Sequence, residues 1–267
     1  MDGPLLIQSR NNPRVKSVVA LKESKHRRSS GFFLVEGMHE IRTAIGYSYP
    51  VRELYCLESA YREIANTLKD LPPSVDIFLV SSSVFEKLSG RQNPDGVLGM
   101  CEQLPVPSLG DVDAFERPIL VLDELENPGN LGAILRSCAA FGFGDIVLND
   151  TALDPYHPNV IRNSRGHSLG LKIYRDTKED ALRWFQKYDY TTFIATPEAD
   201  HTIGEIQIDR KTAFILGNEH HGVSAFWREN AQKQIRIPMT GMVDSLNVSV
   251  SASIVLYEVF KQLNPRI

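Results

Sequence analysis

Three widely separated segments of this chain place polar residues directly after short apolar runs of β-type composition. They are residues 127–136 (NPGNLGAILR), 214–219 (FILGNE) and 237–247 (IPMTGMVDSLN). In an open α/β sheet, ligands bind at the carboxyl ends of the strands. Three such strand ends in one half of the chain therefore predict a single built site. The candidate side chains are Asn130, Arg136, Glu219, Ser245 and Asn247.

Each candidate also has a purely structural explanation. Asn130 can cap the helix that follows the Pro-Gly turn, and Ser245 and Asn247 can cap the last helix. Glu219 stands where a helix begins and can complement its dipole. Arg136 needs an anionic partner, which could be Glu219, a substrate phosphate or solvent. Because all three segments follow strands, one shared site is the more attractive explanation.

Residues 104–118 are rich in Pro, Gly and acidic residues and are typical of a linker. Residues 1–103 predict a small α/β domain, with strands at 32–35, 51–57, 76–80 and 97–101 and a helix at 38–45. Residues 119–267 alternate strands with helices, which predicts a parallel sheet covered on both faces. Its strands are expected at 119–122, 145–148, 171–174, 191–195, 213–216 and 234–237, and its helices at 131–141, 179–188 and 224–231. Residues 248–263 mix two periodicities, and we expect one helix there.

The composition is that of an ordinary soluble protein, with 42% hydrophobic and 23% charged residues among 267. No apolar run approaches the roughly 18 residues that span a bilayer, and the N-terminal residues lack the features of a signal peptide. We therefore expect a cytosolic protein with no membrane partner. The three scattered cysteines argue against a disulfide framework and against a zinc site.

Charge is distributed unevenly along the chain. The net charge of −4 gives no global sign of nucleic-acid binding. A local basic stripe can nevertheless bind phosphates, although a solvated helix face is an equally good explanation. Between residues 10 and 28 there are seven basic residues against one acid. The candidate phosphate-binding residues are six of these seven, Arg10, Arg14, Lys16, Lys25, Arg27 and Arg28.

Other motifs are less persuasive. Residues 166–170 (GHSLG) match the G-x-S-x-G pattern of a hydrolase nucleophile elbow. That elbow needs a strand before the serine and a helix after it, whereas here we expect a helix before and a strand after. An esterase is therefore a weak alternative, and we expect Gly166 and Gly170 to be helix-end glycines. The adjacent His220 and His221 lack metal-site spacing, and no glycine-rich nucleotide-binding motif occurs.

The three segments resemble the motifs of the SpoU-type (TrmH-like) branch of the SPOUT superfamily of RNA methyltransferases, over residues 117–262. The matching stretches are NPGNLGAILR, ILGNE followed by Gly222, and IPMTGMVDSLNVSVSA. Residues 5–103, with IQSRNNPRVK and FFLVEG, resemble the ribosomal-protein-like substrate-binding domain often fused in front. Residues 162–167 (RNSRGH) depart from the family's small-residue run, with bulkier Asn163, Arg165 and His167.

This resemblance implies an α/β fold whose C-terminal parallel-sheet domain is trefoil-knotted, preceded by the small α/β RNA-binding domain. It also implies a homodimer, S-adenosyl-L-methionine as methyl donor, and methylation of a ribose 2′-hydroxyl. Ribosomal RNA is the favoured substrate, by analogy with other members that carry a front domain. A tRNA substrate and a non-catalytic RNA-binding protein are the alternatives. DNA lacks the 2′-hydroxyl and is not expected as a substrate.

The resemblance also assigns roles to residues. The family's active-site positions fall on Asn130, Arg136, Glu219, Ser245 and Asn247. Arg136 would position phosphate and hydroxyl, Asn130 would orient the ribose, and Glu219 would hold Arg136 or the cofactor's ammonium group. The cofactor-contacting positions fall on Gly217, Ile237 and Leu246, with Thr196, Leu216 and Met239 as neighbours in the same cleft.

Overall fold

The computed structural model describes residues 4–67 and 71–265. Within them the chain forms two compact units. In chain order the elements are β1 (Leu5–Ile7), α1 (Pro13–Ala20), α2 (Ser24–Ser30), β2 (Phe32–Glu36), α3 (Met38–Gly46), β3 (Val51–Leu57), α4 (Tyr61–Thr67), β4 (Asp76–Val80), α5 (Ser82–Leu88), β5 (Val97–Glu102), β6 (Ile119–Asp123), α6 (Pro128–Phe141), β7 (Asp145–Asn149), α7 (Pro158–Asn163), β8 (Lys172–Asp176), α8 (Lys178–Lys187), β9 (Thr191–Ala195), β10 (Thr212–Leu216), α9 (Ala225–Asn230), β11 (Lys233–Ile235) and α10 (Val248–Leu263).

The first unit combines the described residues up to Leu104 with the segment Asp154–Gly170. Its sheet has the order β1-β4-β3-β5-β2, with β5 antiparallel to both of its neighbours. The sequence-based division, 1–103 and 119–267, assigned residues 154–170 to the other domain. The segment packs with the first unit because Ile161 of α7 is buried in the same core as Phe33 and Val35 of β2.

The second unit runs from Pro105 to Leu153 and resumes at Leu171. Its strands lie in the order β11-β9-β10-β6-β7-β8, and all the neighbouring pairs are parallel. Strands β6, β7 and β10 are buried along their whole length, as expected of a parallel sheet covered on both faces. The predicted parallel α/β architecture is confirmed. Within the expected linker, Leu109 is buried in the core of this unit.

Residues 248–263 form the single helix α10, as predicted. This helix packs closely against α6, and the hydroxyls of Ser137 and Ser253 are hydrogen-bonded at 2.8 Å between them. Small side chains at such positions let two helices approach closely. In the part of the chain that the structure describes, no helix has the length and apolar character needed to cross a membrane.

Candidate functional site

The turn between β6 and α6 is organised by Asn127, which caps the helix. Its side-chain oxygen accepts hydrogen bonds from the backbone N–H groups of Gly129 (2.7 Å) and Asn130 (3.3 Å), and Pro128 occupies the first turn. The capping role expected of Asn130 is therefore filled by the residue three positions earlier. This leaves the Asn130 amide available for other contacts.

The turn after β10 is held closed by Asn218. Its side-chain amide donates to the Glu124 carbonyl (3.0 Å) and accepts from the His220 N–H (2.8 Å), while its backbone exchanges two hydrogen bonds with Gly222. A Cβ atom at position 217 would overlap the backbone of Gly222, so this close approach requires glycine. The turn thereby fixes the position of Glu219. Our sequence reasoning quoted Asn218 within its motif but gave it no role.

Three of the predicted catalytic residues meet beside these turns. Asn130 Nδ2 donates to Glu219 Oε1 at 2.5 Å, and Asn247 Nδ2 donates to Asn130 Oδ1 at 3.3 Å. Asn247 also caps α10 by accepting from the Ser249 N–H at 2.9 Å. Strands β6 and β10 are neighbours although they are far apart in the chain. Their carboxyl ends form a switch point of the kind where α/β sheets bind ligands.

A cavity of about 310 Å³ lies next to these residues, after strands β9, β10 and β11. Its wall combines apolar side chains with carboxylates and imidazoles. Glu219 and Ser245 line it, as do both adjacent histidines, His220 and His221. All six positions predicted to contact a cofactor lie in its wall, namely Thr196, Leu216, Gly217, Ile237, Met239 and Leu246.

Arg136 lies apart from the other predicted catalytic residues. Six positions beyond Asn130 on α6, it is displaced about 9 Å along the helix and roughly 120° around it. Its side chain is exposed, and within residues 4–67 and 71–265 it has no hydrogen-bond or ion-pair partner. Of the partners considered for Arg136, which were Glu219, a substrate phosphate and solvent, Glu219 is bonded to Asn130 instead.

Three charged residues of the cavity wall, Glu198, Arg228 and Asp244, were given no role by the sequence reasoning. Thr196 donates its hydroxyl to Glu198, and this bond holds the pKa of the Glu198 carboxyl below its usual range. Arg228 on α9 donates through Nε to the Val223 carbonyl at 2.9 Å. The position of Glu198 just after a predicted strand was the available signal. In the described part of the chain, no cluster of three or more His, Cys, Asp or Glu could hold a metal ion.

The basic segment of the first unit is less available to RNA than its composition suggested. Arg27 is fully buried, where it pairs with Asp154 at 2.7 Å and donates to the Leu21 carbonyl at 2.9 Å. Arg27 therefore leaves the predicted RNA-binding set. Arg14 is paired with Glu53. The exposed members of the predicted set with no ion-pair partner in the described residues are Arg10, Lys16, Lys25 and Arg28.

The serine of the G-x-S-x-G motif has no nucleophilic geometry. Ser168 is only 5% exposed, lies in a short 3-10 turn (His167–Gly170), and accepts a hydrogen bond from the Ser164 hydroxyl at 2.9 Å. Helix α7 precedes it and strand β8 follows it, which is the reverse of a nucleophile elbow. Gly166 follows the end of α7 with φ +79°, as expected of a helix-end glycine.

Comparison with known proteins extends these findings. Residues 117–257 match the SpoU rRNA Methylase family, and residues 12–99 match the MRM3-like substrate binding domain. A tRNA/rRNA methyltransferase of Synechocystis sp., itself uncharacterised, is 34% identical, with 96% of this chain and 93% of the relative covered.

Two crystal structures resemble the whole chain. An RNA 2′-O ribose methyltransferase superposes with a TM-score of 0.86 at 36% identity, covering 97% of this chain and 99% of the other. An AdoMet-bound rRNA methyltransferase from Sinorhizobium meliloti gives 0.85 at 27% identity, covering 97% and 98%. The motifs and these similarities agree, and the chain belongs to the SpoU rRNA methylase family.

Proposed function

We propose that this protein transfers a methyl group from S-adenosyl-L-methionine to a ribose 2′-hydroxyl of RNA, with ribosomal RNA as the favoured substrate. The observation that carries the proposal is the cavity after β9, β10 and β11 with the Asn130–Glu219–Asn247 contacts beside it. Membership of the SpoU rRNA methylase family supports the choice of RNA. The cytosolic location expected from the sequence is part of the same proposal.

The cavity suits S-adenosyl-L-methionine in size and chemistry. Its volume of about 310 Å³ lies within the usual range of small-molecule pockets. The apolar wall of Leu216, Ile237, Met239 and Leu246 can cover an adenine ring, and ionised Glu198 can hold an ammonium group. When bound, this cofactor supplies an electrophilic methyl group on a sulfonium.

In the proposed step, the ribose 2′-oxygen would form a bond to the methyl carbon while the carbon–sulfur bond breaks. The electron pair of that bond would go to sulfur, and the hydroxyl proton would pass to solvent water. Correct positioning of reactants can contribute on the order of 7–11 kcal/mol. A guanidinium stays protonated in proteins, so Arg136 would stabilise the developing alkoxide and bind phosphate rather than take the proton.

The other residues would position the substrate. Asn130 would orient the ribose, and its amide is itself held by Glu219 and Asn247. Ser245, in the cavity wall, would fix the adjoining loop against the target nucleotide. In the first unit, the exposed Arg10, Lys16, Lys25 and Arg28 would add salt-dependent affinity for phosphates.

We further propose that the working form is a homodimer. Arg136 is exposed on α6, and the adjacent α10 exposes Val250 and Tyr257, which are 46% and 52% accessible. Exposed apolar groups on α10 favour a protein partner. A second copy on this face would bring its Arg136 towards the Asn130–Glu219–Asn247 contacts, which Arg136 of the same chain does not join.

The trefoil knot implied by the family resemblance also belongs to this proposal. After the sheet-edge strand β11, the chain contributes Ile237, Met239 and residues 244–246 to the cavity wall, beside Leu216 of the inner strand β10 and the following Gly217. A segment beyond the sheet edge that contributes to a site at an inner strand supports the proposed knot.

The deciding experiment is incubation of the purified protein with methyl-labelled S-adenosyl-L-methionine and unmodified rRNA or tRNA. Label is then mapped by the alkali resistance of 2′-O-methylated linkages. We expect one labelled ribose in rRNA, and loss of that label in Arg136→Ala with cofactor affinity unchanged. Label found only in tRNA would show that the substrate is tRNA and not rRNA. Cofactor binding without transfer to assembly intermediates or to either RNA would favour the non-catalytic alternative.

A further inference from the structure

The departure from the family's small-residue run at 162–167 has a structural counterpart on the surface of the first unit. Residues 165–170 pack against α3, where Tyr47, just after the helix, meets His167. The Tyr47 hydroxyl is hydrogen-bonded to His167 Nδ1 at 3.1 Å, and the two ring centroids are 6.2 Å apart. The ring of His39 lies 6.1 Å from that of His167. These rings form one continuous aromatic group.

The Tyr47 ring is held in a fixed position although it is exposed. A Cβ atom at position 170 would overlap the ring, so Tyr47 lies directly against the Gly170 backbone. Tyr47 as a residue is still 43% exposed. A ring that packs against the protein on one face and is open on the other can stack with a base. Its side chain is already fixed in position before a ligand binds.

The same surface is positively charged. Arg42 and Arg165 are exposed, and neither has an ion-pair partner in the residues that the structure describes. Residues 37–47 contain one acid, Glu40, and residues 154–170 contain one acid, Asp154. Each is already paired with an arginine, Glu40 with Arg91 at 3.0 Å and Asp154 with Arg27 at 2.7 Å.

The backbone at this surface is strained. Arg165 has φ +53°, a left-handed conformation that side-chain-bearing residues rarely adopt, and Gly166 follows with φ +79°. A Cβ at position 166 would lie 3.0 Å from the Glu40 carbonyl. Such outliers persist where the surrounding structure imposes them, and they are common at binding sites.

We propose that Tyr47, His167, His39, Arg42 and Arg165 form a binding surface for an unpaired nucleotide of the RNA substrate. A base stacks on the Tyr47 ring, and the two guanidinium groups bind the flanking phosphates. This inference rests on the proposed function, because it names where the RNA outside the methylated nucleotide is held. Neither the family match nor the relatives' names assign these residues.

The test is photo-crosslinking of the full-length protein to a single-stranded oligoribonucleotide that carries 5-iodouridine, with crosslinks mapped by mass spectrometry. We expect crosslinks in the peptides that contain Tyr47 or His167. Crosslinks confined to other surfaces, or an absence of crosslinks, would overturn the proposal. This test uses the wild-type protein and so does not depend on the folding of any variant.

Binding of the same oligoribonucleotide without cofactor gives a second measurement. Tyr47→Ala should weaken binding roughly five- to fifty-fold, whereas Tyr47→Phe, which keeps the ring, should bind within about twofold of wild type. Gly170→Ala should also weaken binding by displacing the ring. Arg42→Gln should reduce the salt dependence, and Arg62→Gln, an exposed arginine of α4, is its matched control.

The two proposals fail in different ways. If rRNA is methylated but Tyr47→Ala binds RNA like wild type, this surface is wrong and the proposed function stands. If no RNA is methylated but the crosslinks fall on Tyr47, the surface stands and the proposed reaction is wrong. Equal binding of duplex and single-stranded RNA would also count against the surface, because only unpaired bases can stack on the ring.

Discussion

Asn130 connects the two strand-end turns of the site through a single amide group. It donates to Glu219 and accepts from Asn247. An amide can do both because it carries a donor and an acceptor, whereas an ionised carboxylate has no hydrogen to donate. The identity of this side chain therefore determines how Glu219 faces the cavity.

Asn130→Asp tests this role with almost no change of shape. It removes the donor and puts a second carboxylate against Glu219, so we expect methyl transfer to fall by about 100-fold. Single-turnover rates with saturating cofactor are the measurement. Asn127→Asp is the matched control, since aspartate caps a helix as well as asparagine does. Equal losses in both variants would show that Asn130 acts only through the helix.

Asp123, at the end of β6, predicts a pH effect on stability. It is buried, its Oδ2 accepts from the Ser224 N–H at 2.8 Å, and burial raises the pKa of its carboxyl above the ordinary 3.8. An acid with a raised folded-state pKa destabilises the protein while it is ionised, and this cost is relieved as the pH falls through that pKa.

Asp123→Asn should therefore raise the melting temperature at neutral pH, and its advantage should shrink as the pH is lowered. Thermal unfolding measured across the acidic range checks this. Asp145→Asn provides the contrast, because Asp145 is buried against Arg117 and Tyr174 and its neutralisation should destabilise. A stabilising effect of Asp123→Asn that is independent of pH would contradict the assignment.

Some residue roles could not be predicted from the sequence because they depend on partners that are distant in the chain. The burial of Arg27 depends on Asp154, which is 127 positions away, and no local pattern signals such a partner. By contrast, the six cavity positions were predictable because each follows a strand or lies in a motif where the backbone must approach a ligand. The Asn218 contacts depend on the closed form of the turn, which its motif letters alone do not specify.

At the scale of elements, the turn after β10 is the most constrained part of the site. Gly217 leaves no room for a side chain because the backbone of Gly222 and Val223 lies against it. Gly217→Ala must open the turn, so we expect cofactor affinity to fall about tenfold or more. Gly204→Ala, where a Cβ meets nothing within 4 Å, should bind like wild type. Isothermal titration with S-adenosyl-L-methionine distinguishes the two, and unchanged binding by Gly217→Ala would remove the turn from the cofactor site.

Strands of the parallel sheet were predictable from their apolar runs to within about two residues, because burial on both faces leaves continuous hydrophobic stretches. Helix α10 was also predictable despite its period-two start. Strand β1 was not, since three residues, Leu5–Ile7, carry too little pattern. The sequence division did not place α7 in the first unit, because it treated each domain as one continuous stretch of the chain.

At the scale of the whole molecule, the proposed dimer makes a direct prediction. A charge at Val250 on the exposed face of α10 should separate the copies, because a buried unpaired carboxylate is costly. Light scattering after gel filtration should give the dimer mass for wild type and the monomer mass for Val250→Glu. Leu5→Glu is the control, since Leu5 is 65% exposed but lies in the first unit. A monomeric, fully active wild type would refute the dimer.

The excursion of Asp154–Gly170 limits the modularity of this protein. The chain passes between the two units after Leu104, after Leu153 and after Gly170. A recombination event that replaced only residues 1–104 would not include α7. The core beside β2 would then lose Ile161, and buried Arg27 would lose its partner Asp154. Residues 1–104 are thus compatible only with a following chain whose counterpart of Asp154–Gly170 packs against them. The two parts must change together, and neither is a freely exchangeable module.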